Sequence, residues 1–138
     1  MDYISIRHSG TQLGNGDEIQ GLTLGGVGSG TVVQNIEIVG SNDDGIEIFG
    51  GTVNVTNLTI WAQSDDAVDL DEGYAGTITN VAIQMKASGD NAFEIDGTED
   101  GTDTLDGQFT VKDVTFIGVE GNTEKTDQLG HWKSDATG

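Results

Sequence analysis

The chain has no cysteine and no proline, and it carries only five basic residues and eight aromatic ones. Without cysteine there is no disulfide framework, and the redox compartment is left open. Without proline every backbone N–H past the first residue can donate, which suits an uninterrupted stack of strands. The shortage of Lys and Arg excludes nucleic acid as an electrostatic partner, because phosphate binding needs clustered bases. It argues equally against docking on an anionic membrane surface. No apolar run approaches the length of a membrane span. The opening MDYISIRHSG lacks the basic leader and apolar stretch of a signal peptide. It starts in mid-repeat and reads as a piece of a longer secreted protein with an added Met1.

What is present is acid, glycine and repetition. Twenty-four Asp and Glu against five bases give a formal charge of −19 over 138 residues. Such an excess favours solubility, multivalent cations or cationic partners, and it opposes compaction by self-repulsion. The 22 glycines suit tight corners. Three stretches repeat one pattern: SNDDGIEIFGGTVNVTNLTI, QSDDAVDLDEGYAGTITNVAI, and SGDNAFEIDG followed by QFTVKDVTF. Each reads as an acidic turn, a short strand, a glycine-rich corner, a second strand, an Asn or Asp, and a third strand. A period of this length is the signature of a solenoid.

Aligned on Asn35, Asn57, Asn80 and Asp113, the repeats fall 22, 23 and 33 residues apart, the last carrying an insertion. The first strands then place Leu22/Leu24, Ile46/Ile48, Val68/Leu70 and Phe93/Ile95 in apolar columns. Second strands give Val33, Val55, Ile78 and Val111. Third strands give Ile36/Ile38, Leu58/Ile60, Val81/Ile83 and Val114/Phe116. Polar residues alternate with them, as period-two strands require. Helical periodicity has no comparable match. The expectation is an all-β chain forming one domain over residues 1–138, a parallel β-helix of about five coils with three short strands each. Two segments break the rhythm: a long turn at residues 7–20 and an inserted acidic loop at residues 96–108. Residues 119–138 read as an irregular C-terminal segment.

This coil, with an Asn at one corner, resembles the right-handed parallel β-helix of the pectate-lyase-like superfamily over nearly the whole chain. Many activities share that scaffold. The phrases GLTLGGVGSGT and DDGIEIFGGTVNV also resemble poorly characterised secreted β-helix proteins of marine bacteria, which implies export and a role at the cell surface.

The acids concentrate on one face. Thr23, Glu47, Asp69 and Glu94 are the outward residues of successive first strands. Asp43/Asp44, Asp65/Asp66 and Asp90/Asn91 precede those strands, and Asp71, Glu72 and Asp96 follow them. Like charges about 5 Å apart repel by roughly 3 kcal/mol at an effective dielectric of 20, so a ladder of them demands compensation. Oxygen ligands without His or Cys select a hard cation, hence Ca²⁺. The candidate ligands are Asp44, Glu47, Asp66, Asp69, Asp71, Glu94, Asp96 and Asp100. Against them stands the plain reading of Asp before a strand as a turn former. In the inserted loop Thr98 and Gly107 depart from an EF-hand, which leaves either a looser calcium loop or a solvated acidic one.

A catalytic reading competes. SNDDGIEI and QSDDAVDL are similar to the first-strand edges of polygalacturonase-type hydrolases, which implies Asp44, Asp65 and Asp66 as the acids. That family's His-Gly is replaced here by Asp90-Asn91-Ala92, and its Arg-x-Lys is missing. A lyase needs a basic residue beside its calcium, and none of Arg7, Lys86, Lys112, Lys125 and Lys133 aligns with the acidic face. His8 and His131 read as exposed polar residues. Phe49, Trp61 and Tyr74 offer flat faces for a polysaccharide or surface glycan. The favoured reading is a non-catalytic extracellular module with a Ca²⁺-binding acidic face, acting in surface attachment or glycan binding. A polysaccharide hydrolase or lyase and a purely structural stalk repeat are the alternatives. Open solenoid ends expose strand edges, so end-to-end self-association is expected; sedimentation at high concentration should show it, and a strictly monomeric profile would refute it.

Overall fold

The computed structural model describes residues 1–14, 17–97, 107–119 and 129–133. Among the described residues there is no helix. Twelve strands follow in chain order: β1 (Asp2–Arg7), β2 (Thr11–Gly14), β3 (Asp17–Ile19), β4 (Leu22–Gly25), β5 (Val32–Val39), β6 (Ile46–Phe49), β7 (Asn54–Trp61), β8 (Val68–Asp71), β9 (Thr77–Gln84), β10 (Phe93–Ile95), β11 (Thr110–Ile117) and β12 (His131–Trp132). One five-stranded sheet runs β1-β5-β7-β9-β11 and a second runs β4-β6-β8-β10-β12. All neighbours within both are parallel. The chain therefore winds between two parallel sheets, and the fold is an all-β parallel β-helix.

The apolar columns meet in register. Ile36 pairs with Leu58 and Leu58 with Val81, while Ile46 pairs with Val68 and Val68 with Phe93. These residues are buried between the sheets in the middle coils, whereas Ile4 and Val114 at the two ends are each 39% exposed. Burial is thus a property of having a coil on both sides.

The coils differ from expectation in one respect. The anticipated second and third strands are a single eight-residue strand in β5, β7, β9 and β11. The bend inside each is one residue in the left-handed region: Asn35, Asn57, Asn80 and Asp113, with φ between 54° and 58°. Asn tolerates that conformation because its short polar side chain bonds locally. Here it bonds along the stack. Asn80 Nδ2 donates to Asn57 Oδ1, Asn57 Nδ2 to Asn35 Oδ1, and Asn35 Nδ2 to Asp2 Oδ1, each at 2.7 Å. The amide bond from Asn35, with a second from Gln34, holds the Asp2 carboxyl below its ordinary pKa. In the first coil Tyr3 occupies the bend with φ 53° and breaks the column.

Just before each first strand the backbone turns inward past a column of small residues: Gly21, Gly45, Ala67 and Ala92. A Cβ on Gly45 would meet the Ala67 carbonyl oxygen at 2.5 Å and Ile60 Cγ2 at 2.6 Å. Gly45 N–H donates to the Asp66 carbonyl and Ala67 N–H to the Asn91 carbonyl, both at 2.9 Å. This tight column fixes where Asp44 and Asp66, one residue upstream, enter the acidic face.

Two substitutions test the bends. Asn57→Ala loses both amide bonds and places a methyl-bearing residue at φ 57°, so urea denaturation should show a loss of about 2 kcal/mol. Ala62 stands at φ 60°, and Ala62→Gly should stabilise by up to about 1 kcal/mol.

Candidate metal centre on the acidic face

Register places the acids as a ladder. Thr23 pairs with Glu47, Glu47 with Asp69, Asp69 with Glu94, and Glu94 with His131. These side chains point away from the apolar core and are nonetheless covered: Glu47 is 7%, Asp69 6% and Glu94 8% exposed. The ladder lies in a cleft of about 530 Å³ whose lining includes Asp17, Glu18 and Gln20. The first two belong to the antiparallel hairpin formed by β2 and β3, and Gln20 follows it. The expected long turn at residues 7–20 is therefore a hairpin that brings two more acids. The Asn15-Gly16 dipeptide between its strands is a strong hairpin signal, and it was legible in the sequence.

Two of the aspartates upstream of the ladder bond to the coil beyond. Asp44 Oδ1 accepts the Asp66 N–H at 2.9 Å, and Asp66 Oδ1 accepts the Asn91 N–H at 2.6 Å. Each thus ties its coil to the next, a bond across the stack and not the local one that a turn former makes. Asp44 also has an oxygen that lies within 4.8 Å of oxygens on Glu47 and Asp69, all three residues being buried. Glu47 Oε2 and Asp69 Oδ1 are buried and have no hydrogen-bond donor among the described residues. A buried carboxylate oxygen left in this condition costs its full desolvation penalty. Two adjoining triads, Asp43, Asp44 and Asp65, and Asp65, Asp66 and Asp90, have the same compactness.

Burial and mutual repulsion act together on these groups. Burial, then Asp69, pushes Asp44 up to about 9. Burial, then Asp71 and Glu94, pushes Asp69 up to about 8. Glu47 rises to about 7 through burial and Asp71, and Asp66 to about 7 through burial and Glu94. Asp43 rises to about 6 through burial and Glu18 of the hairpin. Burial and the closeness of like charges therefore both favour the protonated form of these carboxyls over the bare carboxylates.

Of the residues anticipated as ligands, Asp44, Glu47 and Asp69 come together in one triad and Asp66 in the adjoining one. Asp71 lies beside them at the end of β8, paired with Phe49. Glu94 and Asp96 are engaged differently. Glu94 Oε1 lies 3.1 Å from His131 Nδ1 and Glu94 Oε2 2.5 Å from Lys133 Nζ, which also donates to Asp96 Oδ2 at 3.1 Å. The expectation that no basic residue aligns with the acidic face is thus corrected, since β12 carries His131 onto its last rung and Lys133, the residue after β12, reaches the same carboxylate. His131 is likewise partnered rather than free. The insertion between Asn80 and Asp113 and the irregular tail hid this pairing from repeat alignment. Asp100 lies outside the described residues, as do Thr98 and Lys125.

The aromatic platform does not assemble. Tyr74 is 2% exposed and its hydroxyl donates to the Val53 carbonyl at 2.8 Å, so it is a core residue and presents no face to a sugar. Trp61 is exposed at the end of β7, in the other sheet. Phe49, at the end of β6, lines the acidic cleft.

The model of a pectate-lyase-like β-helix domain matches residues 1–130. No curated protein and no solved structure matches the chain. With its parallel rungs, its two stacked sheets and a family match that covers all but the last eight residues, the chain belongs to the pectate-lyase-like β-helix domain family.

Proposed function

We propose that this domain is a non-catalytic, calcium-binding β-helix module that works outside the cell in surface attachment or glycan binding. One observation carries the metal part: Asp44, Glu47 and Asp69 converge while Glu47 Oε2 and Asp69 Oδ1 stay buried and without a donor. A divalent cation satisfies those oxygens and removes the repulsion along the ladder in one step. All the ligands of this triad are hard oxygens, and Ca²⁺ accepts six to eight of them in flexible geometry. Extracellular modules bind it at about 10⁻⁴–10⁻³ M, and an affinity in that range is expected here. Phe49, apolar at the rim of a polar cleft, supplies a face on which a sugar ring can stack beside the ion.

A second reading has its own support. Carboxyls raised to about 7, as Glu47 and Asp66 are, beside other acids in an open cleft suit general acid–base cleavage of a glycosidic bond. Release of reducing ends from a polysaccharide, abolished by Asp66→Asn, would establish it.

Calorimetric titration should show Ca²⁺ binding that Asp69→Asn weakens by at least about tenfold, a loss of roughly 1.4 kcal/mol. In EDTA at about pH 9, above the raised pKa of Asp69, the same substitution should raise the melting temperature, because there it deletes a repelled charge without changing shape. No heat of binding and no response of the melting temperature to Ca²⁺ would overturn the metal reading.

The pH dependence has a definite sign. The folded-state pKa values lie above the unfolded values near 4, so the folded chain holds more protons between about pH 4 and pH 9. In EDTA, stability should therefore be greatest at the acid end of this window and fall as pH rises. The expected fall in melting temperature from pH 5 to pH 9 is at least about 5 °C, a change of roughly 1 kcal/mol or more. Saturating Ca²⁺ should flatten the profile, and binding should release protons.

A further inference from the structure

The last rung of the acidic ladder differs from the others. At Glu47 and Asp69 one oxygen of each carboxylate is buried without a donor, whereas at Glu94 both oxygens are taken by one short segment. That segment is the strap of residues 129–133, centred on β12. Its backbone hold is small: two residues pair with β10, and Lys133 N–H donates to the Ile95 carbonyl at 2.9 Å. Its apolar hold is small too, since Trp132 is 68% and Leu129 59% exposed. What remains is the charge of Lys133 Nζ on Glu94 and Asp96, beside a polar contact of 3.1 Å between His131 Nδ1 and Glu94 Oε1. Behind the strap lies an apolar cavity of about 520 Å³ lined by Phe93, Ile95, Phe109 and Val111 together with Leu129 and Trp132. The strap is thus one wall of the open end of the core.

We propose that the strap is latched to the solenoid through Glu94 and Asp96, and that cations competing for those carboxylates release it and uncover the apolar end of the core. Lys133 is a tethered counter-ion. It occupies by intramolecular means the kind of position that a free cation takes further up the ladder. Glu94 neighbours Asp69 on the same column, so the strap and the cleft share one field. A divalent ion beside Asp69 weakens the attraction that holds the ammonium, and by reciprocity a seated strap weakens the ion. This coupling to calcium rests on the calcium-binding reading; the latch itself does not.

Hydrogen exchange of the whole chain, followed in the peptide covering residues 129–133, tests the latch. Exchange there should accelerate by at least about tenfold when NaCl is raised to about 1 M, where screening reaches within about 3 Å. Lys133→Met should show the same acceleration at low salt and Lys133→Arg should not, while β8 stays protected in both. Strap exchange that ignores salt and is equal in Lys133→Met and the native chain would overturn the proposal. In the calcium arm, release should follow the calorimetric binding curve. Binding without release would overturn the coupling alone. No binding at all would overturn the calcium reading, with the salt and Lys133→Met arms still deciding the latch.

Discussion

Parallel in-register stacking is the constraint on which the rest of this molecule depends. Each coil places its side chains one strand spacing, about 4.8 Å, from the equivalent side chains of the next. Whatever stands at one position is therefore repeated as a column, and a column must agree with itself. Apolar residues do so by packing, as Ile36, Leu58 and Val81 show. Asn does so because an amide is both donor and acceptor: in the chain from Asn80 to Asp2, Asn57 and Asn35 each donate once and accept once. A carboxylate has no donor to offer its neighbour. Glu47, Asp69 and Glu94 occupy the same kind of column and repel where the amides attract.

The two columns also differ in their surroundings. The asparagines sit at an exposed bend, where water screens any imperfection. The acids lie under the β2–β3 hairpin and are almost fully covered. Cover lowers the local dielectric and strengthens every interaction within it, favourable or not. A structural column would gain nothing from acids placed there, since Thr or Asn in the same positions would stack without strain. The burial of a row of carboxyls, two of them with an oxygen that finds no donor among the described residues, is what separates this face from an ordinary solvated one.

Much of this arrangement was legible in the sequence. The apolar columns, the asparagine corner and the pairing of Thr23, Glu47, Asp69 and Glu94 all follow from one alignment, because a repeat converts spacing directly into contact. What escaped notice lies where the repeat fails. The continuity of β5, β7, β9 and β11 through a left-handed residue depends on backbone angles that an Asn permits but does not announce. Tyr74 gives no sequence sign of its burial, because the corner that holds it folds inward and its bond to the Val53 carbonyl has no periodic signature. His131 and Lys133 were missed for a different reason. They reach Glu94 across an insertion and a tail whose lengths carry no periodic information.

Those non-repeating parts converge on the repeating acids. The hairpin brings Asp17 and Glu18 to one end of the cleft, and the strap brings His131 and Lys133 to the other. One addition makes the field more negative, and the other sets the Lys133 ammonium on its last rung beside the His131 ring. A ladder of uniform rungs is thereby given a direction, with acid accumulating toward the first coils and neutralised at Glu94. In a perfectly periodic solenoid every rung would attract a cation equally. Here the asymmetry comes from elements outside the repeat, and between them it leaves the rungs of Glu47 and Asp69, next to Asp44, with buried carboxylate oxygens that find no donor among the described residues.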